Sequence, residues 1–154
     1  MGETMNDLIK DNIDLHASVK TRKEALYQMS TMLEEHGVVS DKDAFYQAIL
    51  DREAIGPTGM ENGIAIPHGE SDVVNDAAIA VYKTTSDLEW DSLDGNPIKL
   101  IFLLVVPTKG RNVNHLKILS RLSAALTHKD VQQELLSEDN VTDFKKILEK
   151  AGGM

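Results

Sequence analysis

The stretch IAIPHGE, residues 64–70, ends a strand-like apolar alternation with a histidine held between a proline and a glycine. Pro67 fixes its own φ and restricts the residue before it, while Gly69 is expected to leave room beside the ring, so His68 is presented rather than packed. A presented imidazole can serve as a base, a metal ligand or a nucleophile. With no metal partners or obvious serine at hand, the nucleophile reading becomes competitive. Phosphohistidine keeps a high transfer potential, which suits reversible phosphoryl transfer. A loose, metaphosphate-like transition state asks the protein mainly for in-line positioning and for donors around the oxygens.

The residues before His68 could supply such a setting. GPTGMENGIAIPHGE carries Gly56, Gly59, Gly63 and Gly69. Glycines permit close backbone approach and positive φ, under which successive N–H groups converge on an anion. The same glycines would also serve a tight turn between a helix and a strand. Arg52, just before the loop, and His115, at the head of a later helix, are candidate donors to phosphoryl oxygens. Each has a plainer alternative: Arg52 as a charge at a helix end, and His115 as a solvated residue of a first turn. His16 and His128 lie in polar surroundings and read as surface residues. His36 follows a helical stretch, where a cation complements the macrodipole. Trp90, the one tryptophan, reads as core or rim.

Several other chemistries lack their signatures. The chain contains no G-x-x-x-x-G-K-[ST] or G-x-G-x-x-G for a nucleotide, no H-E-x-x-H for zinc, and no G-x-S-x-G for a serine hydrolase. The absence of cysteine excludes disulfides, thiolate metal sites and cysteine nucleophiles. Neither a metal nor a nucleotide cofactor is expected. With 25 acidic against 16 basic residues the net charge is −9, which repels phosphate backbones and anionic lipid, so nucleic acid is not an expected partner. No apolar run approaches the roughly 20 residues of a membrane span, so no membrane insertion is expected. The N-terminal residues have neither the basic start nor the apolar core of a secretory signal, and a cytoplasmic location is expected.

The elements that must position these residues follow from periodicity. TRKEALYQMSTMLEEHG predicts a helix with a capping box of Thr21 and Glu24, a stripe of Ala25, Leu26, Met29, Met32 and Leu33, and a stop at Gly37. A second helix starts near Ser40 or Asp41, carries Phe45, Ala48 and Ile49, and ends between Arg52 and Gly56. GIAIP, AAIAVYKT and IKLIFLLVVP read as strands. The third is apolar almost without alternation, as in a strand buried on both faces. HLKILSRLSAAL, DVQQELL and VTDFKKILEK read as helices. At 154 residues the chain predicts one domain over 1–154, with its core over about 6–150, in an α/β layered fold.

The segment from Arg52 to Gly69, RE-x-x-G-x-TG-x-x-NGIAIPHG in this chain, resembles the IIA domains of the fructose and mannitol class of the bacterial phosphoenolpyruvate-dependent sugar phosphotransferase system. LEWDSLDGNPIKLIFLLVVP and NHLKILSRLSAAL are similar to that family's segments in the same order, so the resemblance covers nearly the whole chain. It implies a mixed, largely parallel sheet flanked by helices on both faces. It also implies that His68 is the phosphorylated nucleophile, taking a phosphoryl group from the phosphocarrier HPr and passing it to a cysteine or histidine, usually cysteine, of a IIB partner, through which the chain is linked to the IIC permease. His115 falls on the family's supporting histidine and Arg52 on its phosphoryl-stabilising arginine. Thr58, Gly59, Asn62 and Gly63 fall on the loop that shapes the site and are expected to be its substrate-binding residues. The implied protein is a phosphotransferase of a fructose-like transporter. The nitrogen-type IIA proteins, which regulate target proteins instead, are the alternative. Pro57 and Glu70 depart from the family pattern: serine is frequent at the first position and a basic residue at the second. A carboxylate at position 70 would repel a dianionic phosphoryl group unless turned away.

Overall fold

IKLIFLLVVP forms the strand around which the rest is arranged. The computed structural model describes residues 4–56, 58, 61–90, 92–110 and 112–152. In chain order they form α1 (Met5–Ile9), β1 (Ile13–Ala17), α2 (Arg22–Glu35), α3 (Lys42–Glu53), β2 (Ile64–Ala65), β3 (His68–Ser71), β4 (Ala78–Leu88), β5 (Ile98–Pro107), α4 (Val113–Ala125), α5 (Lys129–Ser137) and α6 (Val141–Ala151). The sheet runs β1-β4-β5-β2, and β3 pairs with β5 on the same side as β2. Only β4 and β5 are antiparallel; β1 on β4, and β2 and β3 on β5, are parallel. The fold is therefore the expected mixed, largely parallel sheet.

Its two faces explain the nearly continuous apolar run. Ile101, Leu103 and Val105 pack with Leu26, Met29 and Leu33 of α2 and Phe45 and Ile49 of α3. Leu100, Phe102 and Leu104 face the other way, toward residues of α1, α4, α5 and α6. Successive side chains of a strand alternate, so a strand covered on both faces must be apolar at both parities. Burying each such side chain contributes about 1.5–3 kcal/mol, and this burial holds the layers together.

The helix limits follow their caps. The Thr21 hydroxyl accepts the Glu24 N–H at 3.0 Å, and Asp41 accepts N–H groups from Asp43 and Ala44. The capping box is only half formed, because the Glu24 carboxylate takes the Lys20 N–H at 2.8 Å instead of that of Thr21. Gly37, at φ 76°, stops α2 as its sequence position predicts. His36 caps that helix, and its Nδ1 donates to Asn12 Oδ1 at 2.7 Å, so its role is structural.

Two features depart from the sequence expectation. The N-terminal stretch, read only for the lack of a signal, forms α1 and the edge strand β1. Also, His68 does not end a strand: β2 breaks at Ile66 and Pro67, and a new strand begins at His68. Proline has no N–H for the ladder and Ile66 donates its own to Thr58, but the Pro67 carbonyl still accepts from Leu104 at 2.9 Å. Among the described residues no helix is long and apolar enough to cross a membrane.

Candidate functional site

His68 opens β3 opposite Leu104, on the sheet face that packs against α4. Its ring is half-buried, and Nδ1 is enclosed with no hydrogen-bond partner among the described residues. Burial lowers the imidazole pKa from its ordinary value of 6.5, and the positive charge of Arg52 lowers it further. The Ile66 backbone acts in the opposite sense without cancelling the other two. Burial and the Arg52 charge thus favour the neutral imidazole over the imidazolium.

The neighbouring glycine has a different task from the one expected. A Cβ on Gly69 would come within 2.5 Å of Phe45 Cζ and 3.0 Å of Ile49 Cγ1. The space is used by α3, on the opposite face of the strand from His68, and not by the imidazole. This close approach of α3 to β3 brings Arg52, in the last turn of the helix, within electrostatic reach of His68. Arg52 is half-buried and its Nη1 donates to the Gly56 carbonyl at 3.3 Å. It is therefore a tethered cation beside His68, not a free charge at a helix end.

His115 stands in the first turn of α4, only 8% exposed, which sets aside the solvated alternative. It heads the buried stripe of Ile118, Leu119 and Leu122, which packs on the same side of the sheet as Ile66 and Leu104. The positive end of the helix lies at this turn.

Residues 54–63 connect α3 to β2. Pro57 and Gly59, both noted from the sequence, lie outside the described residues. Thr58 is buried; its hydroxyl donates to Glu53 and its carbonyl accepts the Ile66 N–H at 3.0 Å. Asn62 adopts φ 59°, donates its backbone N–H to Asp94 at 2.9 Å, and donates its side-chain amide to Gln132 at 2.6 Å. The Asp94 carboxyl is held below its usual range by the Asn62 N–H first and by Asn96 next. Gly63, at φ 83°, accepts the N–H groups of Lys99 and Leu100 through its carbonyl. The Thr58 hydroxyl and one N–H of the Asn62 amide are thus given to the scaffold. Glu70 is exposed. His16 and His128 are exposed, as their surroundings predict, and Trp90 is 8% exposed, with Arg22 Cζ 6.0 Å from its ring centroid.

Two residues with a part in this arrangement escaped the sequence reading. Glu53 is the acceptor for Thr58, and its signal was its place beside Arg52 in the quoted motif. Gln132 holds Asn62 across 70 positions of sequence, and nothing local marks it.

The structure thus sets the half-buried His68 within electrostatic reach of a tethered Arg52, with Thr58 and Asn62 of the preceding segment bonded to the scaffold and His115 buried at the head of α4 on the same side of the sheet. The chain is 37% identical over 140 residues to the PTS system fructose-specific EIIABC component of Bacillus subtilis (strain 168), covering 89% of this chain and 22% of that protein. It is 34% identical over 136 residues to the PTS system fructose-specific EIIA component of Haloferax volcanii, covering 88% of each. The crystal structure of nitrogen regulatory protein IIA-Ntr from Neisseria meningitidis superposes with a TM-score of 0.79 at 29% identity, covering 89% of this chain and 92% of that one. The sequence profile described as phosphoenolpyruvate-dependent sugar phosphotransferase system, EIIA 2, matches residues 8–151, and the chain belongs to that family.

Proposed function

We propose that this protein is a phosphocarrier that accepts a phosphoryl group on His68 and hands it to a IIB partner of a fructose-like sugar transporter. The observation that carries the reading is the His68 imidazole: neutral by burial and by the Arg52 charge, and set at the break between β2 and β3. Because Nδ1 is enclosed, Nε2 is the nitrogen left to meet the donor; to attack, it must carry the lone pair, which requires the tautomer with the proton on Nδ1. In the forward step the Nε2–P bond forms as the P–N bond of phospho-HPr breaks. Arg52 offsets the charge of the phosphoryl oxygens, and His115 supports the site from the start of α4. In transfer to IIB the Nε2–P bond breaks as a bond from phosphorus to a cysteine sulfur or histidine nitrogen of that partner forms, and IIB in turn works with the IIC permease. A carrier neither retains nor hydrolyses what it receives, so the step is reversible. No metal or nucleotide takes part, and the work is cytoplasmic.

The fructose-specific relatives and the segment LDGNP, which resembles transporter members, support this reading. The similarity to a nitrogen regulatory protein supports a second, in which phosphorylation instead controls binding to target proteins. Reconstitution with fructose-type IIB domains separates them. Transfer of label from the phosphorylated protein to one of them is expected, whereas transfer to none while His68 is still phosphorylated favours regulation.

A further inference from the structure

Adjacent side chains at the end of α3 grip the two ends of the segment that leads into the loop. Arg52 holds the Gly56 carbonyl, and Glu53 accepts the hydroxyl of Thr58. The Glu53 side chain is only 4% exposed. Enclosing a carboxylate costs several kcal/mol unless its oxygens are well partnered. Here one oxygen takes the Thr58 hydroxyl and the other faces Arg22 Nη1 at 3.7 Å. Arg22 is 30% exposed and more distant, so the Thr58 contact is the better placed of the two.

That contact connects directly to the backbone presenting His68. The Thr58 carbonyl accepts the Ile66 N–H, the Pro67 carbonyl accepts the Leu104 N–H, and His68 follows. The connection thus runs from a buried acid, through one hydroxyl and one main-chain hydrogen bond, to Ile66, two residues ahead of the imidazole, while the Pro67–Leu104 bond ties the same stretch to β5. An acid in this position is awkward if it faces an incoming dianion, and harmless if its charge is buried and occupied. We propose that Glu53 is a positioning residue for phosphoryl transfer: it anchors Thr58, and through Thr58 and Ile66 it fixes the backbone that aims His68, without touching the phosphoryl group. The inference rests on His68 being the phosphoryl acceptor.

The test compares E53Q, E53A, T58V and the E53A/T58V double variant with the wild-type chain, using phospho-HPr as donor. Misplacing a reacting group by an ångström can cost about 100-fold, so kcat should fall about 10- to 100-fold in E53A and T58V with KM for phospho-HPr unchanged. E53Q keeps the acceptor and should stay within about threefold of wild type, while the double variant should be no slower than the slower single one. Amide hydrogen exchange should quicken at Ile66 in E53A and T58V and remain unchanged in β4 and β5. Full rates in E53A or T58V, additive losses, E53Q as slow as E53A, a rise in KM alone, or unaltered Ile66 exchange would each overturn the proposal. Accelerated exchange throughout the sheet would also overturn it, by making Glu53 a core residue only. If E53A does not fold, T58V, which loses a single hydroxyl, carries the same expectations. If wild-type protein accepts no phosphoryl group, the reading of His68 falls, and Ile66 exchange alone then decides whether Glu53 anchors the loop.

Discussion

At the scale of single residues, the behaviour of His68 follows from two neighbours, a low-dielectric surround and a guanidinium. Both disfavour the imidazolium, so its titration midpoint in an NMR experiment should lie below 6.5. In R52M the midpoint should move back up only part of the way, because burial is the larger cause. The linkage has a definite sign. A lowered folded pKa means that the unfolded chain binds more protons, so stability rises with pH across the window between the folded value and 6.5 and is lost on acidification through it. A midpoint at or above 6.5 would contradict this description. His68 was legible in the sequence because proline and glycine flank a histidine where neither core nor helix wants one. Arg52 and His115 were legible only as candidates, since burial decides between a helix-end charge and a site residue, and burial is a tertiary property. The partners of Thr58 and Asn62 were not legible: one is fixed by the path of a loop and the other by a helix 70 residues away.

At the scale of elements, the approach of α3 to β3 depends on the missing side chain at Gly69. G69A would drive a methyl group into Phe45, a fully buried ring, and force α3 outward. Overpacking of this kind costs about 1–3 kcal/mol, which urea denaturation would register as a lower midpoint with little change in slope. Because α3 carries Arg52, the same variant should also raise the His68 pKa. A second joint lies at the far end of the sheet. Lys83, 3% exposed on β4, donates from Nζ to the carbonyls of Leu135, Leu136 and Glu138 and lies 3.5 Å from Asp139. It closes the C-terminus of α5 in place of a glycine cap. K83M would leave buried carbonyls unpaired and should destabilise by about 1–3 kcal/mol or more, read in the same denaturation experiment; an unchanged midpoint would show that the carbonyls find other donors. The long helices and the central strand were legible from their periods and caps. The edge strand β1 was not, because five residues ahead of α2 acquire their pairing only from β4, on the far side of α3 and the loop. The restart at His68 was hidden by Pro67, which punctuates a strand as readily as it ends one.

At the scale of the whole molecule, one sheet covered on both faces does two jobs. Its layered core supplies stability, and its parallel edge of β2 and β3 leaves a break at which a histidine can be offered outward. The sheet class was legible because β5 is apolar at both parities, a pattern that only two covered faces require. The order of the strands was not, since pairing between β1 and β4 or between β3 and β5 is set by crossovers that leave no local trace. The most direct measurement mixes the protein with phosphoenolpyruvate, enzyme I and HPr and follows intact mass before and after acid treatment, in wild type and in His68→Ala. An acid-labile phosphoryl addition on the wild-type chain and none on the variant is the predicted result; an addition that persists in His68→Ala would contradict the account.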